Sequence, residues 1–144
     1  MRKIDKIIIH CSATPEFKEF DVDDITNWHL AKGWSDCGYH LIIKLDGTIE
    51  SGRPMNLKGA HTYGKNKGSI GVCYIGGMDR TMDNWIDTRT PEQKESLIEV
   101  LTSLKTEHPD AIIYGHNDFT NKKVCPCFNA KEEYKDISNI VCKR

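Results

Sequence analysis

The sequence predicts one α/β domain, a mixed central sheet flanked by helices, and three observations carry that expectation. Strand-length runs rich in β-branched or other apolar residues recur at positions 4–11, 69–75 and 111–115, without helical spacing. Segments bearing helix-start signals alternate with them, the pattern of a sheet covered by helices. Finally, Asp46-Gly47 stands between β-rich flanks at 39–45 and 48–50, a strong local signal for a hairpin.

In chain order, Ile7-Ile8-Ile9 makes the first strand, and Ser12-Ala13-Thr14-Pro15 ends it, leaving His10 near its carboxyl end. Asp23 or Asp24 can cap a short helix with Ile25, Trp28 and Leu30 as its apolar face, and Gly33 suits a left-handed residue after its end. The hairpin follows. Positions 51–68 are glycine-rich without an apolar period, so they read as a long surface loop, and His61 lies in it. A second buried strand at 69–75 closes on Gly76-Gly77, and 78–89 is a polar loop. Thr90-Pro91-Glu92-Gln93 supplies an N-cap, a proline at the first helical position and a capping-box glutamine. The helix runs to Glu107, with Leu97, Ile98, Leu101 and Leu104 as a core-facing stripe and Pro109 beyond its end. After the strand at 111–115 comes His116, then a loop to Phe128, and Asn129-Ala130-Lys131-Glu132 resembles another capped helix start. There is no internal repeat, low-complexity tract or linker, so residues 1–144 read as a single domain with no second module.

Composition narrows the function. A chain of 144 residues can bury roughly two-thirds of its unfolded surface, so it needs neither disulfide nor metal merely to fold. A formal charge of −1 provides no broad basic field, and nucleic acid is not an expected partner. The apolar runs are far short of the ~20 residues of a spanning helix, so no membrane association is expected. The N-terminus lacks a signal-peptide apolar region, which implies synthesis in the cytoplasm. Six cysteines at irregular intervals in such a chain are expected to be mostly free thiols.

His10 and His116 both follow buried strands, where open α/β sheets place ligand sites. Cys125 could complete a trio with them, and two imidazoles with one thiolate suit a catalytic zinc that keeps its fourth position for water. Spacing alone leaves the alternatives open: His10 as an ordinary strand-end histidine, and Cys125-Pro126-Cys127 as a metal-binding or redox pair. A disulfide across the single proline would be strained. Cys11, Cys37, Cys73 and Cys142 read as small hydrophobes, and the neighbours of His29, His40 and His108 explain them without a functional role.

Several ordered motifs go further: His10-Cys11-Ser12-Ala13-Thr14, Gly38-Tyr39-His40, Ile42 through Thr48, Gly59-Ala60-His61, Ser69-Ile70-Gly71-Val72, and Gly115-His116 through Cys125-Pro126. Together they resemble the zinc-dependent type-2 N-acetylmuramoyl-L-alanine amidases, especially single-domain phage enzymes, with peptidoglycan recognition proteins as relatives. The resemblance spans residues 10–128 and implies that fold, with the whole chain as the catalytic domain. It implies Zn2+ held by His10, His116 and Cys125, and catalytic roles for Tyr39 and Lys123, the latter rather than its neighbour Lys122; Cys127, where the chain departs from the family pattern, is a substitute ligand on donor chemistry alone. It further implies a monomeric enzyme that cuts the amide between N-acetylmuramic acid and L-alanine of peptidoglycan, acting on the wall after release. His61 would contact substrate from the cleft wall. The rivals are a peptidoglycan-binding module without catalysis and a cysteine hydrolase using Cys11 or Cys125 as nucleophile.

Overall fold

The computed structural model describes residues 2–139. In chain order the strands are β1 (Lys6–Cys11), β2 (Thr14–Pro15), β3 (Leu41–Ile43), β4 (Ile49–Ser51), β5 (Ser69–Tyr74), β6 (Gly77–Met78) and β7 (Ile112–Gly115). The α-helices are α1 (Val22–Ala31), α2 (Pro91–Glu107), α3 (Ala130–Glu133) and α4 (Lys135–Ser138). The main sheet has the order β4-β3-β5-β1-β7. β1 runs parallel to both β5 and β7, β3 runs parallel to β5, and β4 is antiparallel to β3. The expected mixed sheet with helical cover is therefore present.

Both faces of the sheet are covered, and this explains why Ile7, Ile8 and Ile9 are all fully buried. On one face Ile7 and Ile9 join Val72, Tyr74 and Ile113 against Leu97, Val100, Leu101 and Leu104 of α2. The other face packs Ile42, Cys73 and Ile75 with Ile25 of α1 and Cys37. Side chains alternate along a strand, so His10, paired with Cys73 in register, faces the α1 side. Cys11, Cys37 and Cys73 are buried thiols, as expected, whereas Cys142 lies outside the described residues.

Helix α2 starts and ends where the sequence places it. Thr90 Oγ1 accepts from the Gln93 amide at 3.0 Å while Gln93 Oε1 accepts from the Thr90 amide at 2.9 Å. The same glutamine is fully buried, and its Nε2 donates to the carbonyls of Ile43, the last residue of β3, and Ile75, just past β5. The stripe needs one correction: Ile98 is 52% exposed and Val100 is buried in its place. The buried face is centred on Leu97, Leu101 and Leu104, and position 98 lies one helical step beside it.

Helix α1 corrects two expectations. Its N-cap is Asp21, in a reciprocal box with Asp24. Its inward residues are Ile25 and His29, while Trp28 and Leu30 are substantially exposed. His29 turns inward because its Nδ1 accepts from the Gly38 amide at 2.8 Å, and burial, with Lys32 and Arg53 adding to it, pushes its pKa down to about 4. Gly33 takes φ +88° just past the helix, as its position predicts. In the hairpin, the amide of Lys44 donates to Thr48 O and that of Gly47 to Lys44 O. Gly47, at φ +88°, is the left-handed residue of this three-residue loop.

The segment between β4 and β5 is not wholly a surface loop, since His61 and Thr62 are buried in it. Asn66 folds that segment back, its Oδ1 accepting from the amides of both residues at 2.9 Å. The two-residue β2–β6 pairing is too short to leave a periodic trace in sequence. The C-terminal helical region starts at the Asn129 cap as expected, but Tyr134 divides it into two single turns.

Candidate metal centre and cleft

Three strand-to-loop connections bring the predicted donors together. His10 stands at the end of β1, His116 opens the short 3-10 turn after β7, and Cys125 returns on the loop before α3. One donor atom from each lies within 4.8 Å of the others. The return of Cys125 is pinned by the Asn117 amide, which donates to its carbonyl at 2.9 Å, and by Tyr74 Oη, which donates to the carbonyl of Pro126 at 2.6 Å. The amide of Cys11 donates to Cys125 Sγ at 3.1 Å, which fixes where the sulfur sits.

Both histidines are tuned toward the neutral form. Burial, then His61 and His116, holds His10 well below the usual histidine range. Burial, then Lys123, lowers His116. Neutral imidazoles and a cysteine sulfur are donors for a borderline cation such as zinc, so the chemistry and the spacing of this set fit a metal.

His116 and Cys125 line a cleft of about 230 Å³, with His10 buried beside them, and its other walls include Ser12, Trp28, Lys32, Tyr39, Trp85 and Lys123. The Tyr39 ring lies 5.1 Å from that of His10. Burial first, with Cys73 and Cys125 adding to it, pushes the Tyr39 phenol well above its ordinary value, so it stays protonated and can donate. Lys123 lines the cleft whereas Lys122 does not. The sequence places Trp28 on the apolar face of α1 rather than at a cleft, and nothing local marks Lys32 or Trp85; a half-exposed tryptophan carries no local sign of what it faces.

Other sequence candidates fall elsewhere. Cys127 Sγ is 3.9 Å from Cys11 Sγ and donates to Gly77 O at 3.3 Å; among the described residues the three-donor cluster contains Cys125 instead. Cys11 does not suit a nucleophile, because its contact with Cys125 and its burial push its thiol well up. His61 does not form the cleft wall. It is 8% exposed, is absent from the lining, and sits against His10 with 2.9 Å between His61 Nδ1 and His10 Nε2. Its loop is drawn into the core by Asn66, which is why the surface-loop expectation misplaced it. Burial, with His40 and His116 contributing, pushes its pKa down to about 3. His40 is structural: its Nδ1 accepts from the Gly71 amide at 3.0 Å.

The N-acetylmuramoyl-L-alanine amidase family model matches residues 1–128. Among curated proteins, the endolysin of Escherichia phage T7 is 41% identical over 140 residues, covering 97% of this chain and 91% of that one. The endolysin of Klebsiella phage KP32 is 40% identical over 126 residues, covering 88% and 82%. Among solved structures, the amidase LysC from Clostridium intestinale superposes with TM-score 0.80 at 29% identity, covering 97% of this chain and 88% of that one. Bumblebee PGRP-SA shares the fold, with TM-score 0.77 at 24% identity, covering 100% and 87%.

Proposed function

The chain belongs to the N-acetylmuramoyl-L-alanine amidase family, and from that premise we propose that His10, His116 and Cys125 hold a catalytic zinc ion. The protein is a peptidoglycan amidase of the phage endolysin kind, hydrolysing the bond between N-acetylmuramic acid and L-alanine. The observation that carries the zinc reading is the convergence of two nitrogen donors and one sulfur donor within 4.8 Å. Bound zinc supplies a Lewis acid for the scissile carbonyl and an acidified water.

The remaining work falls to side chains of the cleft. Tyr39 holds a proton on its phenol oxygen and is placed to donate it as a hydrogen bond to the carbonyl oxygen when negative charge develops there. Lys123 brings an ammonium group to the same cleft, able to offset that charge and to pass a proton to the departing alanine amine. Trp28 and Trp85 offer flat apolar surfaces for a sugar ring or a peptide backbone. A recognition module without catalysis needs neither the thiolate nor the phenol, and their presence favours the enzyme. We infer that this domain works as a monomer and reaches the wall after release.

Digestion of purified cell wall tests this reading. Peptides with new N-terminal alanine and no new reducing sugar ends are expected, with activity lost to a chelator and restored by zinc. Reducing ends without new alanine amines would refute the amidase reaction. Loss of activity only on thiol alkylation, with zinc still bound, would refute the metal's catalytic role.

A further inference from the structure

We infer that His61 is a positioning residue that accepts the Nε2 proton of His10, leaving His10 Nδ1 as the nitrogen presented to the metal. The inference rests on the zinc reading of the site and extends it to the groups that set the ligand's tautomer. His10 and His61 are both buried, their rings meet at 81°, and His10 Nε2 is 2.9 Å from His61 Nδ1. At that separation one nitrogen donates and the other accepts.

The far end of the hydrogen-bond chain decides which. Ser69 Oγ lies 3.1 Å from the backbone carbonyl of Asn66, an acceptor only, so the serine proton is committed there. Ser69 Oγ is then free to accept from His61 Nε2 at 3.3 Å. A neutral imidazole with its proton on Nε2 has a bare Nδ1, and His10 Nε2–H supplies the bond that Nδ1 receives. Thr62 Oγ1 stands 2.9 Å from His61 Nδ1 and 3.2 Å from His10 Nε2. With the single lone pair of His61 Nδ1 taken by His10, that hydroxyl oxygen is a second acceptor for the same His10 Nε2–H.

The site is also built to hold this geometry. A Cβ on Gly71 would stand 2.6 Å from the His61 ring and one on Gly59 2.5 Å from it, so glycine at both positions lets the backbone approach the ring. The amides of His61 and Thr62 are fixed by Asn66 Oδ1. Partners that orient a ligating histidine in this way change metal affinity by roughly 10–100-fold when removed.

Two measurements test the inference. Long-range proton–nitrogen spectra of the metal-free wild type, which need no variant, should show His10 and His61 each protonated on Nε2; a proton on His10 Nδ1 overturns it. Competition against a chromophoric chelator should show zinc bound roughly 10–100-fold more weakly by His61→Leu. His61→Asn, whose amide oxygen can stand where Nδ1 stood, should recover most of the loss. Equal affinity in wild type and a folded His61→Leu, or His61→Asn as weak as His61→Leu, overturns the inference. If wild type itself binds no zinc, the zinc reading fails, and the proton positions still judge the histidine pair separately.

Discussion

The backbone amide of Cys11 donates to Cys125 Sγ across 3.1 Å, joining residues 114 positions apart. That contact ties the end of β1 to the returning loop and orients the sulfur toward His10 and His116. Cys125→Ser should therefore abolish stoichiometric zinc binding and reduce amidase activity to background, measured by metal analysis and alanine-amine release. Cys127→Ser, which removes a thiol facing Gly77, should keep both.

Tyr39→Phe separates metal binding from catalysis. The ring stays in place beside His10 while the donor is lost, so zinc content should be unchanged and kcat should fall by roughly 10²–10³, as for other single oxyanion donors. An unaltered kcat with zinc retained would remove Tyr39 from the mechanism.

Gly71→Ala puts a methyl group against the His61 ring, where the built Cβ position is only 2.6 Å away. Overpacking of this kind costs about 1–3 kcal/mol, readable in urea unfolding. Zinc affinity should fall with it, because the displaced ring is the one bonded to His10.

The register of α2 is open to a paired substitution. Leu97 is fully buried and Ile98 is 52% exposed. Leu97→Ala should cost about 2–5 kcal/mol, whereas Ile98→Ala should stay below about 1 kcal/mol. Equal losses in chemical denaturation would contradict the placement of that face.

Acid should weaken the contact between the loop before α2 and the C-terminal turns. Arg89 pairs with Asp87 at 2.8 Å and with Glu133 at 2.7 Å. Burial pushes the Asp87 carboxyl up, but the hydrogen bond and charge of Arg89 outweigh it, and the net shift is downward. Arg89 likewise lowers Glu133. A lowered carboxyl pKa in the folded state contributes stability above the unfolded value of about 4, and that contribution is lost as pH falls through the folded values. Urea midpoints should accordingly drop below about pH 4, with a shallower drop in Asp87→Asn; identical slopes would rule out this pair as a source of acid sensitivity.

Much of the site was legible because its signals are ordered along the chain. The isoleucine strand, the Thr90 capping box and the Asp46-Gly47 turn act through neighbours a few residues away, so local energetics determined them. The ordered motifs further marked His10, His116 and Cys125 as a set. What only the tertiary structure decided depends on the parallel pairing of β1 with β5 and β7, which brings together residues 10, 61, 116 and 125. Local spacing could not tell that His29 turns inward while Trp28 borders the cleft, or that Val100 replaces Ile98 in the core. Nor could it place His61 behind His10 rather than on the cleft wall. A side chain's partner in those cases is set by sheet register and by the face each helix turns to it, and those are fixed only when distant segments pack.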